Sequence, residues 1–273
     1  MKIKTLFILL ITFSIVQQGY AQKNNKVENV VLQLSINEKI DLLCAKFPGV
    51  QKQGLVKYDW WSECLHGVAD AISDEARAKH QREVEQNGFS DRHFGLTFFS
   101  PTLNIARDPR WGRTSECFSE DPLLTSDMGV AFIKGMQGDD PYYLKTVATA
   151  KHFVANNEED RRLGGSAEVD EMSLREYYFP AFQAAVTQGR VTSIMGAYNA
   201  LNGIPCCANS FLLNDVLRNE WGFDGVVISD GSAIDKLYTH HKYVPSLENG
   251  AAMALKAGCD MSLRDEYRKG LYL

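Results

Sequence analysis

Short apolar runs and amphipathic stretches alternate along most of this chain. The apolar runs predict strands at residues 59–65, 97–105, 146–153, 192–198, 225–230 and 259–263. The stretches between them carry apolar residues at helical spacing, at 71–86, 122–136, 171–188, 211–220 and 247–256. Repeated strand–helix units predict an α/β fold with a parallel sheet, either closed into a barrel or covered by helices on both faces.

Residues that favour helix ends support this segmentation. Ser35 and Glu38 form a capping-box pattern that predicts a helix to about Phe47. Asp121 followed by Pro122 is typical of a helix start. Three glycines stand where helices would end: Gly189, Gly222 and Gly258.

The polar residues decide between the two sheet types. No Gly-rich loop follows a predicted strand, which disfavours dinucleotide-binding and P-loop folds and a barrel acting on phosphate esters. Charged residues collect at the carboxyl ends of the predicted strands, as in a (β/α)8 TIM-type barrel. Since fewer than eight strands are predicted, we expect the barrel to be incomplete, short of one or two strands.

The first 21 residues are typical of a secretory signal peptide. Lys2 and Lys4 precede an apolar run at residues 6–16, and Ala21 ends a stretch that resembles a cleavage site. The run is shorter than the roughly 20 residues that a membrane span needs. We therefore expect an exported protein, periplasmic or extracellular, whose mature chain at residues 22–273 is one barrel domain with no membrane span.

The net charge and the cysteine spacing argue against some classes of binding partner. The formal net charge is −5, which argues against nucleic acid. The six cysteines show no C-x-x-C spacing, so we expect neither a metal site nor a cofactor. Disulfide pairing and oligomeric state cannot be read from these positions.

Asp230 ends the apolar run at residues 225–230. In a barrel of parallel strands, the carboxyl end of a strand is where catalytic groups lie. A carboxylate there can act as a nucleophile, hold a metal or accept a proton. The alternative is a plain helix N-cap after a strand.

Other predicted strands end in clusters of polar side chains. These candidates are Glu63 and His66, Arg113, Lys151 and His152, and Tyr198. Sugar hydroxyls bind charged partners, and aromatic rings cover apolar sugar faces, so the combination suits a carbohydrate. Each cluster also has a structural alternative: the 107–113 segment as an ion-paired surface loop, or Trp60 and Trp61 as core residues.

Long runs of the chain resemble glycoside hydrolase family 3, in its N-terminal barrel domain. The runs are "WWSECLHGVA", "FFSPTLNIARDPRWGRTSECFSEDPLLT", "VATAKHFVANNEEDRR", "SIMGAYNALNGIPCCANSFLLNDVLRNEWGFDGVVISD" and "AMALKAGCDM". They span nearly the whole mature chain in the family's order.

The resemblance implies a retaining exo-β-glycosidase acting on oligosaccharides, of the β-xylosidase branch in preference to the β-glucosidase branch. Asp230 matches the family's nucleophile, and Tyr198 matches a tyrosine near it. Arg113, Lys151 and His152 match residues that hold the nonreducing-end sugar, and Glu63 lies where the family grips that sugar. The "NALNGIPCCANSFLL" run favours xylosidases, while a preference among xylose, glucose and arabinose stays open.

The chain departs from the family's pattern in several places. Gly231 stands where members usually have Trp or Cys, and the join after Ala69 lacks a strand and part of a helix. Members usually continue beyond the position of Leu273 into a sandwich domain that supplies the acid/base carboxylate. The loop at residues 154–162 holds no His, unlike the N-acetylglucosaminidase branch. These departures leave an alternative: a truncated, non-catalytic remnant that binds sugar.

Overall fold

The computed structural model describes Gln33 and residues 46–47, 58–90 and 93–271. The chain divides into two compact units, Met1–Trp60 and Trp61–Leu273. In the first unit, β1 (Lys46–Phe47) pairs antiparallel with β2 (Tyr58–Asp59). The helix predicted from Ser35 would have ended at Phe47, which instead lies in this hairpin. The rest of that predicted helix and the signal-peptide segment lie outside the described residues.

The second unit alternates strands and helices. Its described strands are β3 (Thr97–Phe98), β4 (Val147–Phe153), β5 (Ser166–Ala167), β6 (Ser193–Gly196), β7 (Ala200–Leu201), β8 (Ile204–Pro205) and β9 (Val226–Ser229). The described α-helices of the chain are α1 (Trp60–Asn87), α2 (Pro122–Gln137), α3 (Glu171–Ser173), α4 (Pro180–Thr187), α5 (Ala233–Thr239), α6 (Leu247–Lys256) and α7 (Glu266–Leu271). Leu174–Tyr178 and Phe211–Glu220 form π-helical segments.

The central sheet is parallel and has the order β3-β4-β6-β9. A parallel bridge between Ile228 and Met261 extends it at one edge, where a strand was predicted over residues 259–263. Helices follow the strands, as expected for an α/β barrel-type fold. Within residues 58–90 and 93–271 the sheet stays open and closes into no barrel, so the prediction of an incomplete barrel is confirmed.

Helix α1 corrects the prediction of a strand at residues 59–65. Only Tyr58–Asp59 is extended, and the helix runs without interruption from Trp60 to Asn87. Its sequence is rich in Ala and Glu, which favour helix, and contains no proline. Gly88 follows the last helical residue, and its φ of 77° is a conformation that favours glycine.

The predicted strand at 97–105 is also shorter than expected. Only Thr97–Phe98 pairs as a strand, and Thr102 then bridges to Lys151. Pro101 has no N–H to donate, although its carbonyl still accepts from the Lys151 N–H at 3.0 Å. The segment therefore follows β4 without forming a regular ladder.

The predicted helix ends are confirmed in part. The Asp121 side chain accepts from the Leu124 N–H at 2.7 Å and caps α2. Gly222 and Gly258 have φ values of 74° and 102°, so both adopt the left-handed region after a helix. At the third position the left-handed residue is Arg190, next to Gly189.

Apolar packing between the sheet and the helices holds β4 and β6 in place. Phe153 at the end of β4 is fully buried, and its ring centroid lies 5.1 Å from that of Phe182 and 5.8 Å from that of Trp221. A fully buried aromatic side chain contributes roughly 3–5 kcal/mol, judged from truncation to Ala. The polar residues beside Phe153 therefore stand on a rigid strand. Among the described residues, no helix is both long and apolar enough to cross a membrane.

Candidate active site

Register brings the polar ends of three strands to one edge of the sheet. Phe153 of β4 pairs with Gly196 of β6, and Gly196 pairs with Ser229 of β9. Lys151 and His152 therefore lie in β4 at the level where β9 ends, and Asp230 follows β9 directly. Parallel strands with these ends aligned place side chains from distant parts of the chain together.

A tight turn presents Asp230. The Ala233 N–H donates to the Asp230 carbonyl at 3.0 Å, and Ser232 has a left-handed φ of 59°. The Gly231 N–H donates to Asp230 Oδ1 at 2.7 Å. The side chain is 15% exposed, and this burial raises its pKa, while the Gly231 hydrogen bond and nearby cations oppose the rise. The result is a partly desolvated carboxylate with one firm hydrogen bond.

His152 is buried and neutral. Its side chain is 2% exposed, and burial, together with Arg113 and Lys151, lowers the pKa of its imidazole to about 2. Nε2 lies 3.5 Å from Asp230 Oδ2. Because the ring is uncharged at neutral pH, this approach is not an ion pair.

Arg113 connects His152 to a second carboxylate. Its Nε and Nη2 donate to the two oxygens of Glu116 at 2.7 and 2.8 Å, a bidentate pair. Nη2 also lies 3.2 Å from His152 Nε2. The guanidinium lowers the pKa of Glu116, so this carboxylate is ionised at neutral pH. Within the 107–113 segment, Arg110 pairs with Asp108 at the surface, whereas Arg113 contacts the buried His152.

Lys151 lies beside the same pair. Burial lowers the pKa of its ammonium, and the charges of Glu116 and Asp230 oppose that shift. Its charge acts in turn on Asp230, and lowers the pKa of that carboxyl. Arg113 and Lys151 therefore offset part of the cost of ionising Asp230.

Tyr198 contacts the turn after Asp230. Its hydroxyl donates to the Gly231 carbonyl at 2.5 Å, and burial raises the pKa of the phenol to about 12. A Cβ added at Gly231 would lie 3.2 Å from this hydroxyl. The glycine thus leaves room for the Tyr198 hydroxyl beside the turn.

Sequence reasoning did not single out Arg162. Its guanidinium lies 5.0 Å from the centroid of the Tyr198 ring and pairs with Glu159 Oε1 at 2.7 Å. Its charge lowers the pKa values of both His152 and Asp230. The "NNEEDRR" stretch after β4 was the available signal, but its two arginines are indistinguishable by sequence pattern. Arg161 instead pairs with Glu158 on the surface.

Glu63 is not brought into this group. It lies near the start of α1 with an exposed side chain. No hydrogen bond or ion pair within residues 58–90 and 93–271 joins it to Asp230, Arg113 or His152. His66 is on the same helix, where its carbonyl is close to Gly135 of α2. The predicted roles of Glu63 and of the other site residues in sugar binding stay predictions.

Comparison with known protein families identifies the family of this chain. The pattern of the "Glycosyl hydrolase family 3 N terminal domain" matches residues 84–272, more than half of the chain. The chain belongs to glycoside hydrolase family 3. The resemblance inferred from the sequence is confirmed.

Named relatives of this family 3 chain include xylosidases. It is 35% identical over 279 residues to a xylan 1,4-beta-xylosidase of Xylanibacter ruminicola, an alignment that covers 88% of the chain and 32% of the relative. It is 34% identical over 281 residues to beta-D-xylosidase 3 of Arabidopsis thaliana, covering 87% and 35%. The chain thus spans about a third of the length of these relatives.

Solved structures agree with this assignment. A family 3 exo-beta-xylosidase bound to a xylobiose aziridine probe superposes with a TM-score of 0.70 at 28% identity, covering 89% of this chain and 36% of that one. Beta-glucosidase from Listeria innocua in complex with gluconolactone gives a TM-score of 0.65 at 31% identity, covering 77% and 28%. The open sheet of this chain is therefore the family's barrel fold in part.

Proposed function

We propose that this chain is the barrel domain of a retaining exo-β-glycosidase. It hydrolyses nonreducing-end β-xylosyl or β-glucosyl residues of oligosaccharides through a covalent glycosyl-enzyme on Asp230. One observation carries the proposal: Asp230 is a partly desolvated carboxylate at the carboxyl end of β9, surrounded by Arg113, Lys151 and Arg162. The xylosidases among the relatives favour a β-xyloside.

The geometry suits nucleophilic attack. Asp230 Oδ1 is held by the Gly231 N–H, which leaves Oδ2 to face the anomeric carbon of a bound sugar. Burial raises the pKa of the Asp230 carboxyl, and the nearby cations oppose this rise and so favour the carboxylate. In the transition state the sugar carries positive charge, and a desolvated carboxylate stabilises that charge more than water does.

Sugar binding in this proposal falls to the side chains around Asp230. Arg113 and Lys151 donate hydrogen bonds to sugar hydroxyls, and Tyr198 covers one side of the turn at Gly231. Guanidinium and ammonium groups donate strongly to hydroxyl oxygens, and their burial strengthens those bonds. Glu63 would have to approach from α1, which makes it the least supported of the predicted binding residues.

A retaining enzyme also needs an acid/base carboxylate about 5–5.5 Å from the nucleophile. Glu116 does not fit that role, because Arg113 binds both of its oxygens and lowers its pKa. Glu159 is paired with Arg162. The test of Asp230 therefore needs a leaving group that departs without a proton.

Hydrolysis of 2,4-dinitrophenyl β-xyloside and β-glucoside provides that test. We expect release of dinitrophenolate, with the β-anomer of the sugar formed first, as seen by proton NMR. Asp230→Asn should abolish it, while Asp235→Asn on the next helix should not. Turnover that survives Asp230→Asn, or an α-anomeric first product, would refute the proposal. Saturable xylose binding without turnover would instead support the non-catalytic remnant.

We also propose that the protein is exported. The basic, then apolar, pattern of residues 1–21 supports a cleaved signal. Sequencing the N-terminus of the secreted protein should give Gln22, and an uncleaved Met1 would contradict this proposal.

A further inference from the structure

Asn104 makes three contacts with one residue. Its Oδ1 lies 2.8 Å from the His152 backbone N and 3.0 Å from His152 Nδ1, and its Nδ2 lies 2.9 Å from the His152 carbonyl O. Both residues are 2% exposed, so no solvent competes for these contacts. A buried amide with all of its contacts on one histidine is arranged to hold that residue.

The backbone of His152 fixes which way the amide points. A backbone N–H only donates and a carbonyl only accepts. Oδ1 therefore must face the His152 N–H, and Nδ2 must face the carbonyl. The flipped amide would set two donors against each other at 2.8 Å and two acceptors at 2.9 Å. Since Oδ1 can only accept, His152 Nδ1 carries the proton.

The contact of Arg113 with the other ring nitrogen of His152 indicates the same tautomer. A guanidinium has donors only, and Nη2 lies 3.2 Å from His152 Nε2. Nε2 must therefore be the unprotonated, accepting nitrogen. The two protons of Arg113 Nη2 are then both used, one on His152 and one on Glu116 Oε2 at 2.8 Å.

We infer that Asn104 is a positioning residue that locks His152 in its neutral Nδ1–H tautomer, so that Nε2 orients Arg113 beside Asp230. The chain of contacts runs from Asn104 through His152 to Arg113 and ends at Glu116. A neutral amide suits this position, because a carboxylate there would stabilise an imidazolium, and an imidazolium would repel Arg113. The effect on catalysis rests on the proposed function, whereas the tautomer does not.

The other cations around the His152 ring also favour its neutral form. Lys151 and Arg162 also act on His152 and lower its pKa, while Asp230 Oδ2 at 3.5 Å from Nε2 is the acid that faces it. Protonation at Nε2 would create a new ion pair with Asp230 and end the contact with Arg113. The tautomer therefore decides which partner Nε2 takes.

Nitrogen NMR of the whole chain, labelled with ¹⁵N-histidine, tests the tautomer directly. In long-range ¹H–¹⁵N spectra at neutral pH, we expect His152 to show a protonated Nδ1 and a bare Nε2, its signals assigned by their loss in His152→Gln. His241 is the internal control, because its Nε2 lies 2.8 Å from the Tyr198 carbonyl O and must donate. Protonation of His152 at Nε2, or at both nitrogens, would overturn the inference.

Two substitutions at Asn104 test its role by measurements that would not change if the residue only stabilised the fold. Asn104→Asp should raise the pKa of the His152 imidazole in an NMR titration and shift the acid limb of the kcat/KM profile for a dinitrophenyl β-xyloside. Its kcat/KM at neutral pH should fall about tenfold, as for the loss of one hydrogen bond. Asn104→Ala should let the Nε2–H tautomer appear.

An unchanged imidazole pKa in Asn104→Asp, or an unchanged tautomer in Asn104→Ala, would contradict the role of Asn104. Absence of turnover by the wild-type chain would count against the proposed glycosidase, while the tautomer result would stand on its own.

Discussion

Mild acid should destabilise this chain through one buried histidine. His152 is 2% exposed and neutral in the folded state, held by Asn104 on one side and by Arg113 on the other. In the unfolded chain the same imidazole is solvated and protonates near its ordinary pKa of about 6.5. In mild acid, the unfolded state therefore binds a proton at His152 and the folded state does not.

The magnitude follows from the two pKa values. The folded pKa is lowered to about 2. A lowered pKa contributes stability that is fully present above the unfolded value of about 6.5 and is lost as the pH falls toward the folded value. Between these limits the free energy of unfolding falls by about 1.4 kcal/mol per pH unit. Going from about pH 7.5 to about pH 5.5 should thus remove about 1.4 kcal/mol through His152.

Urea unfolding followed by tryptophan fluorescence at the two pH values measures this loss. His152→Gln removes the titrating group and keeps a polar side chain of similar size, so its loss should be smaller than that of wild type by about 1.4 kcal/mol. His241, whose pKa burial also lowers, is present in both proteins and cancels. The pKa values of Asp108 and Glu116 are lowered from values that already lie below this window.

Equal acid losses in wild type and His152→Gln would refute the reasoning, because they would mean that the imidazole is solvated or charged in the folded state. Asn104→Asp offers an independent check. A carboxylate at Nδ1 would raise the folded pKa of His152 and so reduce the loss. An acid loss as large as that of wild type would show that Asn104 does not face Nδ1.

Further predictions concern packing, the nucleophile and the pocket wall. Gly135→Ala should cost about 1–3 kcal/mol, because its Cβ would clash with the His66 carbonyl O of α1. Gly67→Ala on the same helix is the control, and with nothing within 4 Å it should leave stability unchanged or raise it by about 0.5–1 kcal/mol. Asp230→Asn should raise Tm at neutral pH, since the raised pKa means that folding disfavours the charged form, and this gain should vanish below the unfolded pKa of about 3.9. Gly231→Trp should lower the KM for an aryl β-xyloside about 2- to 10-fold by adding an aromatic wall, and Gly231→Ala should not; an unchanged KM would show that no sugar lies there.

The sequence pattern predicted most of the sheet because its strands are short apolar runs between clear helix signals. β4, β6 and β9 each lie inside a predicted strand, and α6 has the predicted bounds at residues 247–256. The prediction was wrong at residues 59–65, where the strongly helical sequence that follows extends the helix back to Trp60. A short apolar run is compatible with a strand or with the start of the following helix, and the run itself does not distinguish the two.

The sequence predicted which residues come together at the strand ends. It did not predict the contacts that those side chains make with one another. Arg113, Lys151, His152, Tyr198 and Asp230 come together because parallel strands align their carboxyl ends. The roles of Asn104 and Arg162 depend on side-chain distances between segments far apart in sequence, which no local pattern encodes.

A covalent label on Asp230 is the most direct test of the central claim. The purified chain would be incubated with 2,4-dinitrophenyl 2-deoxy-2-fluoro-β-xyloside, whose fluorine slows breakdown of the glycosyl-enzyme and whose leaving group departs without an acid. Intact mass should show one added fluoropentosyl group, peptide mapping should place it on Asp230, and Asp230→Ala should show none. A folded wild-type chain, verified by circular dichroism, that gains no adduct or carries it on another residue would contradict the account.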